Sequence, residues 1–178
     1  MYSSGTAGVE SEAGTLASVR SLVCVNAFQP DVGESAGALQ GKAPPGAKSV
    51  GPVGAGFVAV NPQAFHLDFA ADLPKSVAHF MSISQVPIAA ASFDAKVGAT
   101  AWSLKRSYAV VSTQDRMINP ELERFMSKRA KSETIELTGS HAIFLSQPKE
   151  IGALIEKAAI AAEQCRSSTR PQHRTNTL

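Results

Sequence analysis

From Arg106 onward the chain repeats one alternation twice. "RSYAVVST" (106–113) is a strand-length run rich in β-branched and aromatic residues, and "ELERFMSKRA" (121–130) has the periodicity of an amphipathic helix. "SETIELTG" (132–139) is strand-like again, and "PKEIGALIEKAAIAAEQC" (148–165) is a long closing helix. The first helix carries its own start signal. Asn119 stands at the N-cap, Pro120 at the first helical position, and acids fill the first turn. Strands separated by helices of this length predict βαβ units and a mostly parallel sheet. A sheet of that kind is covered on both faces, and its ligands lie beyond the carboxyl ends of the strands.

The rest of the chain is placed around this core. "AGVESEAGTLA" (7–17) predicts a short helix weakened by two glycines, and "VRSLVCVNAF" (19–28) a buried strand. Gln29 to about Val60 holds many of the Gly and Pro residues, as in "KAPPGAKSVGPVGAG", and reads as an excursion from the core. "DLPKSVAHFMSIS" and "VPIAAASFDAKV" predict two short helices, each opened by a proline. The polar segment 167–178 reads as a flexible tail.

The 178 residues are enough for one domain with a real core. Apolar residues at 44% and charged ones at 18% exclude a disordered chain. A net charge of +2 is too weak to suggest nucleic acid. Cys24 and Cys165 fit no metal or redox spacing, and Cys24 reads as a buried thiol. No apolar stretch approaches the roughly 20 residues of a membrane span, and the N-terminus lacks the pattern of a signal peptide. A cytoplasmic location without membrane or nucleic-acid partners is the expectation.

Two ionisable residues fall just past strand ends: Asp115 after "YAVVST" and His141 after "TIEL". Consecutive parallel strands are usually neighbours, so their exit loops lie side by side. A carboxylate beside an imidazole orients the ring and stabilises its protonated form, as a hydrolytic base requires. Taken singly, Asp115 reads as a turn residue or a partner for Arg116, and His141 as a packed helix-start residue. Their coincidence on adjacent strand ends favours chemistry.

"VVSTQDRMINPELERFMSKRA" with "ELTGSHAIFLSQPKEIGALI" resembles the C-terminal third of α/β-hydrolase fold enzymes, in the branch of plant methylesterases and hydroxynitrile lyases. In that pattern a D-R motif after the seventh strand carries the acid, matching Asp115. A G-x-H-x-x-x-x-S-x-P motif after the eighth carries the histidine, matching His141. "VRSLVCVNAFQPDVGES" resembles the sixth strand and cap entrance, and the stretch from Asp68 to Trp102 resembles the helical cap. The family's nucleophile sits in G-x-S-x-G, with triad order Ser, Asp, His. The full motif is absent, and its nearest counterpart is "MYSSG", which puts Ser3 at the nucleophile position and Gly5 at the second glycine. The backbone N–H of Ser4 is then one oxyanion donor. The second comes from a loop after the third strand, outside the match.

The resemblance thus implies a partial α/β-hydrolase fold over 1–166 that begins at the nucleophile elbow. It has a cap-like insertion at about 29–103 and lacks the N-terminal strands of the family's sheet. It implies carboxylester hydrolase chemistry by Ser3, His141 and Asp115 on a small ester or acyl substrate, with no cofactor and no metal. Phe65, Phe69, Phe80, Met81 and Phe93 are candidate walls of an apolar cap pocket. Two alternatives stay open. One is a non-catalytic fragment or binding remnant, whose sixth-strand edge invites self-association. The other is lyase chemistry on the same scaffold. His66, His79 and His173 are expected to face packing or solvent, and Asp31 is a lesser candidate for the acid.

Overall fold

The computed structural model describes residues 7–168. After helix α1 (Ala7–Ala13), strand β1 (Ser21–Val25) enters a three-stranded sheet. Helix α2 (Ala36–Lys42) opens the excursion. It continues through β2 (Val50–Gly54), β3 (Phe57–Val60), helices α3 (Pro62–Phe69) and α4 (Lys75–Ser84), β4 (Ile88–Ala89) and α5 (Ala91–Asp94). A 3-10 turn (Ala101–Ser103) returns the chain to β5 (Arg106–Ser112), α6 (Pro120–Arg129), β6 (Glu133–Leu137), α7 (Ile143–Ser146) and α8 (Pro148–Ser168).

The main sheet has the order β1-β5-β6 and is parallel throughout. Its centre is β5, in which every residue from Ser107 to Ser112 is buried. That explains the apolar run "YAVV": a strand with neighbours on both edges and helices on both faces has no wet side. Tyr108 and Val110 pack with Ile151, Leu154 and Ala158 of α8. The alternate residues face α6, where Ser107 meets the end of the helix through the Ala130 carbonyl. On that side Phe28, Ala36, Leu39, Ile118, Leu122 and Met126 form a second cluster. Asn119 caps α6 as expected, its Oδ1 accepting from the Glu121 amide at 2.9 Å. Cys24 is a buried free thiol, and its Sγ donates to Glu10 Oε1 at 2.9 Å.

The excursion departs from the sequence reading in three places. Residues 29–60 are not core-free loop. Leu39 of α2 is fully buried, and β2 and β3 form an antiparallel hairpin. The glycines that read as loop supply the hairpin turn, where Gly54, Ala55 and Gly56 all have positive φ. Pro52 lies on β2, an edge strand of the small β2-β3-β4 sheet, where a missing N–H does least harm. "VPIAAASFDAKV" is not one helix. Ile88 pairs with Val58 and Ala89 with Phe57, which leaves only four residues of α5. Helix α3 was not expected, although Asn61 and Pro62 repeat the start signal of Asn119 and Pro120.

The α8 face against the sheet gives a direct stability test. Leu154 is buried, whereas its neighbour Ile155 is half exposed. Leu154→Ala is expected to cost about 2–5 kcal/mol and Ile155→Ala about 0.5 kcal/mol or less, read as urea midpoints.

Candidate active site

The loops after β5 and β6 are held together by continuation of the strand ladder. The Thr113 amide donates to the Leu137 carbonyl at 2.9 Å, and the Gln114 amide to the Gly139 carbonyl at 3.2 Å. Asp115 follows directly. Its Oδ1 accepts from the amides of Met117 at 2.7 Å and Ile118 at 3.1 Å, closing a local turn. That leaves Oδ2 free to face the next loop, where it lies 2.6 Å from His141 Nδ1. Both residues are about 95% buried, with 5% of Asp115 and 4% of His141 exposed. A carboxylate only accepts, so Nδ1 carries a proton in this contact.

The imidazole is fixed from other sides too. Phe69 of α3 packs edge-on against it, with ring centroids 4.7 Å apart. The Phe69 carbonyl accepts from the Ala142 amide at 3.0 Å and from Ser140 Oγ at 3.1 Å. Asp72, from the α3–α4 connection, accepts from Ser140 Oγ, from the Ser140 amide at 3.1 Å and from Ser146 Oγ at 2.6 Å. Burial works against the Asp72 charge, but these donors hold its carboxyl below the ordinary range. Gly139 is required by close approach, since a Cβ there would sit 2.1 Å from Ile143 Cδ1.

His141 reaches a cavity of about 140 Å³ between the main sheet and the excursion. Apolar side chains dominate it, among them Phe69, Met117, Val60, Ile88 and Phe93. An apolar cavity of about 150 Å³ suffices to hold benzene.

Of the five expected wall residues, Phe69 and Phe93 line this cavity. Phe65 is buried in the excursion's own core, where Met81 packs against the same cluster, and Phe80 is 67% exposed. Arg116 does not pair with Asp115, because its Nε donates to Asp68 at 2.8 Å. Asp31 sits in a local turn, its carbonyl accepting from the Glu34 amide at 2.9 Å and its Oδ1 from the Val32 amide at 2.8 Å. His66 bonds the Leu73 carbonyl at 3.1 Å, and His79 is exposed. Ser3, Ser4 and His173 lie outside the described residues. Among the described residues no group of three or more His, Cys, Asp or Glu side chains could hold a metal ion. No described helix is long and apolar enough to cross a membrane.

Two polar residues of this region carried no signal in the sequence reading. Asn26, at the end of β1, reaches the His141 loop through its carboxamide. Glu123 of α6 is 2% exposed, and neither carboxyl oxygen has a hydrogen-bond partner. Burial, and secondarily the nearby Asp115 charge, push its carboxyl well up. Helical spacing had marked Glu123 only as a first-turn acid.

The pattern of the alpha/beta hydrolase family matches residues 1–154. The chain belongs to that family. No curated protein sequence matches it. Among solved structures, a pyrethroid hydrolase from Sphingobium faniae JZ-2 is similar at TM-score 0.71 and 17% identity, over 90% of this chain and 70% of that one. A methylesterase from Arabidopsis is similar at TM-score 0.68 and 14% identity, over 89% of this chain and 67% of that one. Polyneuridine aldehyde esterase gives TM-score 0.62 and 16% identity, over 79% of this chain and 62% of its own. At these identities the likeness is one of fold, and it bears out the partial α/β-hydrolase architecture.

Glu123 offers a test of the site's electrostatics. The folded protein keeps on Glu123 a proton that the unfolded chain releases in the ordinary carboxylate range. Stability therefore falls as pH rises from that range towards the raised value, by about 1.4 kcal/mol per pH unit of separation. Glu123→Gln removes this penalty. It is expected to stabilise the fold more at about pH 8 than at about pH 4. Chemical denaturation at the two pH values measures the difference, and an equal effect at both would contradict the assignment.

Proposed function

We propose that this hydrolase is an esterase-type serine hydrolase acting on a small ester or acyl substrate. The observation that supports it most is the buried 2.6 Å contact of Asp115 with His141 Nδ1, beside an apolar cavity that His141 lines. Ser3 is the nucleophile in this reading. Its hydroxyl proton passes to His141 Nε2 as Oγ bonds to the carbonyl carbon, and the oxyanion is met by the Ser4 N–H. His141 then protonates the departing alcohol as the ester C–O bond breaks. Water, deprotonated by the same nitrogen, releases the acid and restores Ser3. Asp115 keeps the ring in the required tautomer throughout. The excursion at about 29–103 serves as the cap, holding the apolar part of the substrate. The esterases among the structural neighbours agree with this chemistry.

A second reading is a hydrolase segment that associates rather than cleaves. It is favoured by β1, whose Leu22, Val23 and Cys24 form an apolar middle and which has β5 as its single strand neighbour among the described residues. Concentration-dependent dimers in sedimentation, with no ester turnover, would support it.

A fluorophosphonate probe on the purified chain decides between them. Labelling is expected in the native chain and lost in Ser3→Ala, and labelling that survives Ser3→Ala contradicts the nucleophile assignment. Asp115→Asn is expected to lower ester kcat on the order of 10⁴-fold, because the amide favours the wrong tautomer.

A further inference from the structure

Asn26 is the first residue after β1 and is 1% exposed. Its φ is +45°, in the left-handed region that Asn tolerates better than most residues. Its carboxamide joins three segments. Oδ1 accepts from the Ser112 amide at 3.0 Å. Nδ2 donates to Ser112 Oγ at 2.8 Å, to the Ser140 carbonyl at 3.2 Å and to the His141 carbonyl at 3.0 Å. The Asn26 amide itself continues the ladder to the Val110 carbonyl at 3.1 Å. One side chain therefore links the ends of β1 and β5 to the main chain on both sides of the His141 Cα.

We propose that Asn26 is a positioning residue for the general base: its carboxamide fixes the backbone of Ser140 and His141 so that Nδ1 meets Asp115 and Nε2 stays at the cavity. Several observations support this. A carboxamide supplies donor and acceptor together, and the bracket uses both. The two carbonyls lie past the end of β6, where the strand ladder no longer serves them; the Ser140 carbonyl also accepts from the Ile143 amide at 3.2 Å, and the His141 carbonyl takes its donor from Asn26. A non-glycine residue held at positive φ persists where its surroundings over-determine it. Asp115 then sets the ring, and Asn26 sets the frame from which the ring hangs. Asp72 and Phe69 hold the same loop from the excursion side, so sheet and excursion grip it from opposite directions.

The inference deepens the esterase reading and rests on it for its kinetic part. The test uses two variants. Asn26→Asp keeps the size and the acceptor but turns an oxygen towards two carbonyls. Asn26→Gly removes the bracket while accepting the left-handed backbone without strain, and so keeps the fold without placing a new oxygen against the two carbonyls. Turnover of p-nitrophenyl acetate is expected to fall about 10- to 100-fold in kcat with KM close to native, as for a misplaced catalytic group. In proton NMR, the strongly downfield signal of the His141 Nδ1–H in its short bond to Asp115 is expected to move upfield or vanish. A role in stability alone would lower the melting temperature and leave both readouts in place at temperatures where the variant is folded. Native kcat with an unchanged downfield proton in folded Asn26→Gly overturns the proposal. A native chain that shows the downfield proton but no turnover fails the esterase reading instead, and the effect of Asn26→Gly on that proton still decides the bracket.

Discussion

The hydrogen bond between Asp115 and His141 depends on two strands being parallel, adjacent and in register. Val111 lies opposite Glu136 and Ser112 opposite Leu137, so the two chains leave the sheet at the same level. Shifting one strand by a residue would turn Asp115 or His141 to the other side of the sheet. The register is guarded from within by β5, whose buried residues pack on α8 on one face and α6 on the other. The placement of Asp115 against His141 is thus a consequence of how β5 is covered.

Placing a carboxylate there is costly, and the structure offsets that cost locally. Asp115 receives two main-chain amides on one oxygen and the imidazole N–H on the other, so its charge is met on both sides. Glu123, a short way off, has no such donors, and burial pushes its carboxyl well up. The excursion is anchored with similar economy at the start of α2. Burial opposes the charge on Glu34, but the hydrogen bond from Arg129 and further donors bring its carboxyl down to about 2. Arg129 thereby ties the entrance of the excursion to the end of α6.

Much of this was legible in the sequence, for identifiable reasons. The β5-α6-β6-α8 alternation has strong periodicity, a proline start signal and short connections, and the structure follows it closely. The adjacency of Asp115 and His141 was legible because consecutive parallel strands are usually neighbours and their exit loops lie side by side. The excursion was read less well. Its hairpin consists of short strands around glycines, a composition shared with plain loops, and only the pairing of β2 with β3 distinguishes the two. Pairing with β3 also overrode the alanine-rich helix signal around Ile88. Helix α3 was readable from Asn61 and Pro62. Asn26 was not: its role arises from a left-handed backbone and from carbonyls more than a hundred residues away. Phe80 followed the apolar pattern of its helix yet points outward, because α4 rests on Ala78 and Ser82.

The central claim is that Asp115 holds His141 in one tautomer, with the Nε2 lone pair towards the cavity. Nitrogen-15 NMR of the histidine rings in the folded native chain tests it most directly. The account predicts that at neutral pH His141 shows a protonated, amine-like Nδ1 and an unprotonated, pyridine-like Nε2, and that Asp115→Asn alters the pattern. A His141 ring protonated at Nε2, or averaging freely between tautomers, would contradict it.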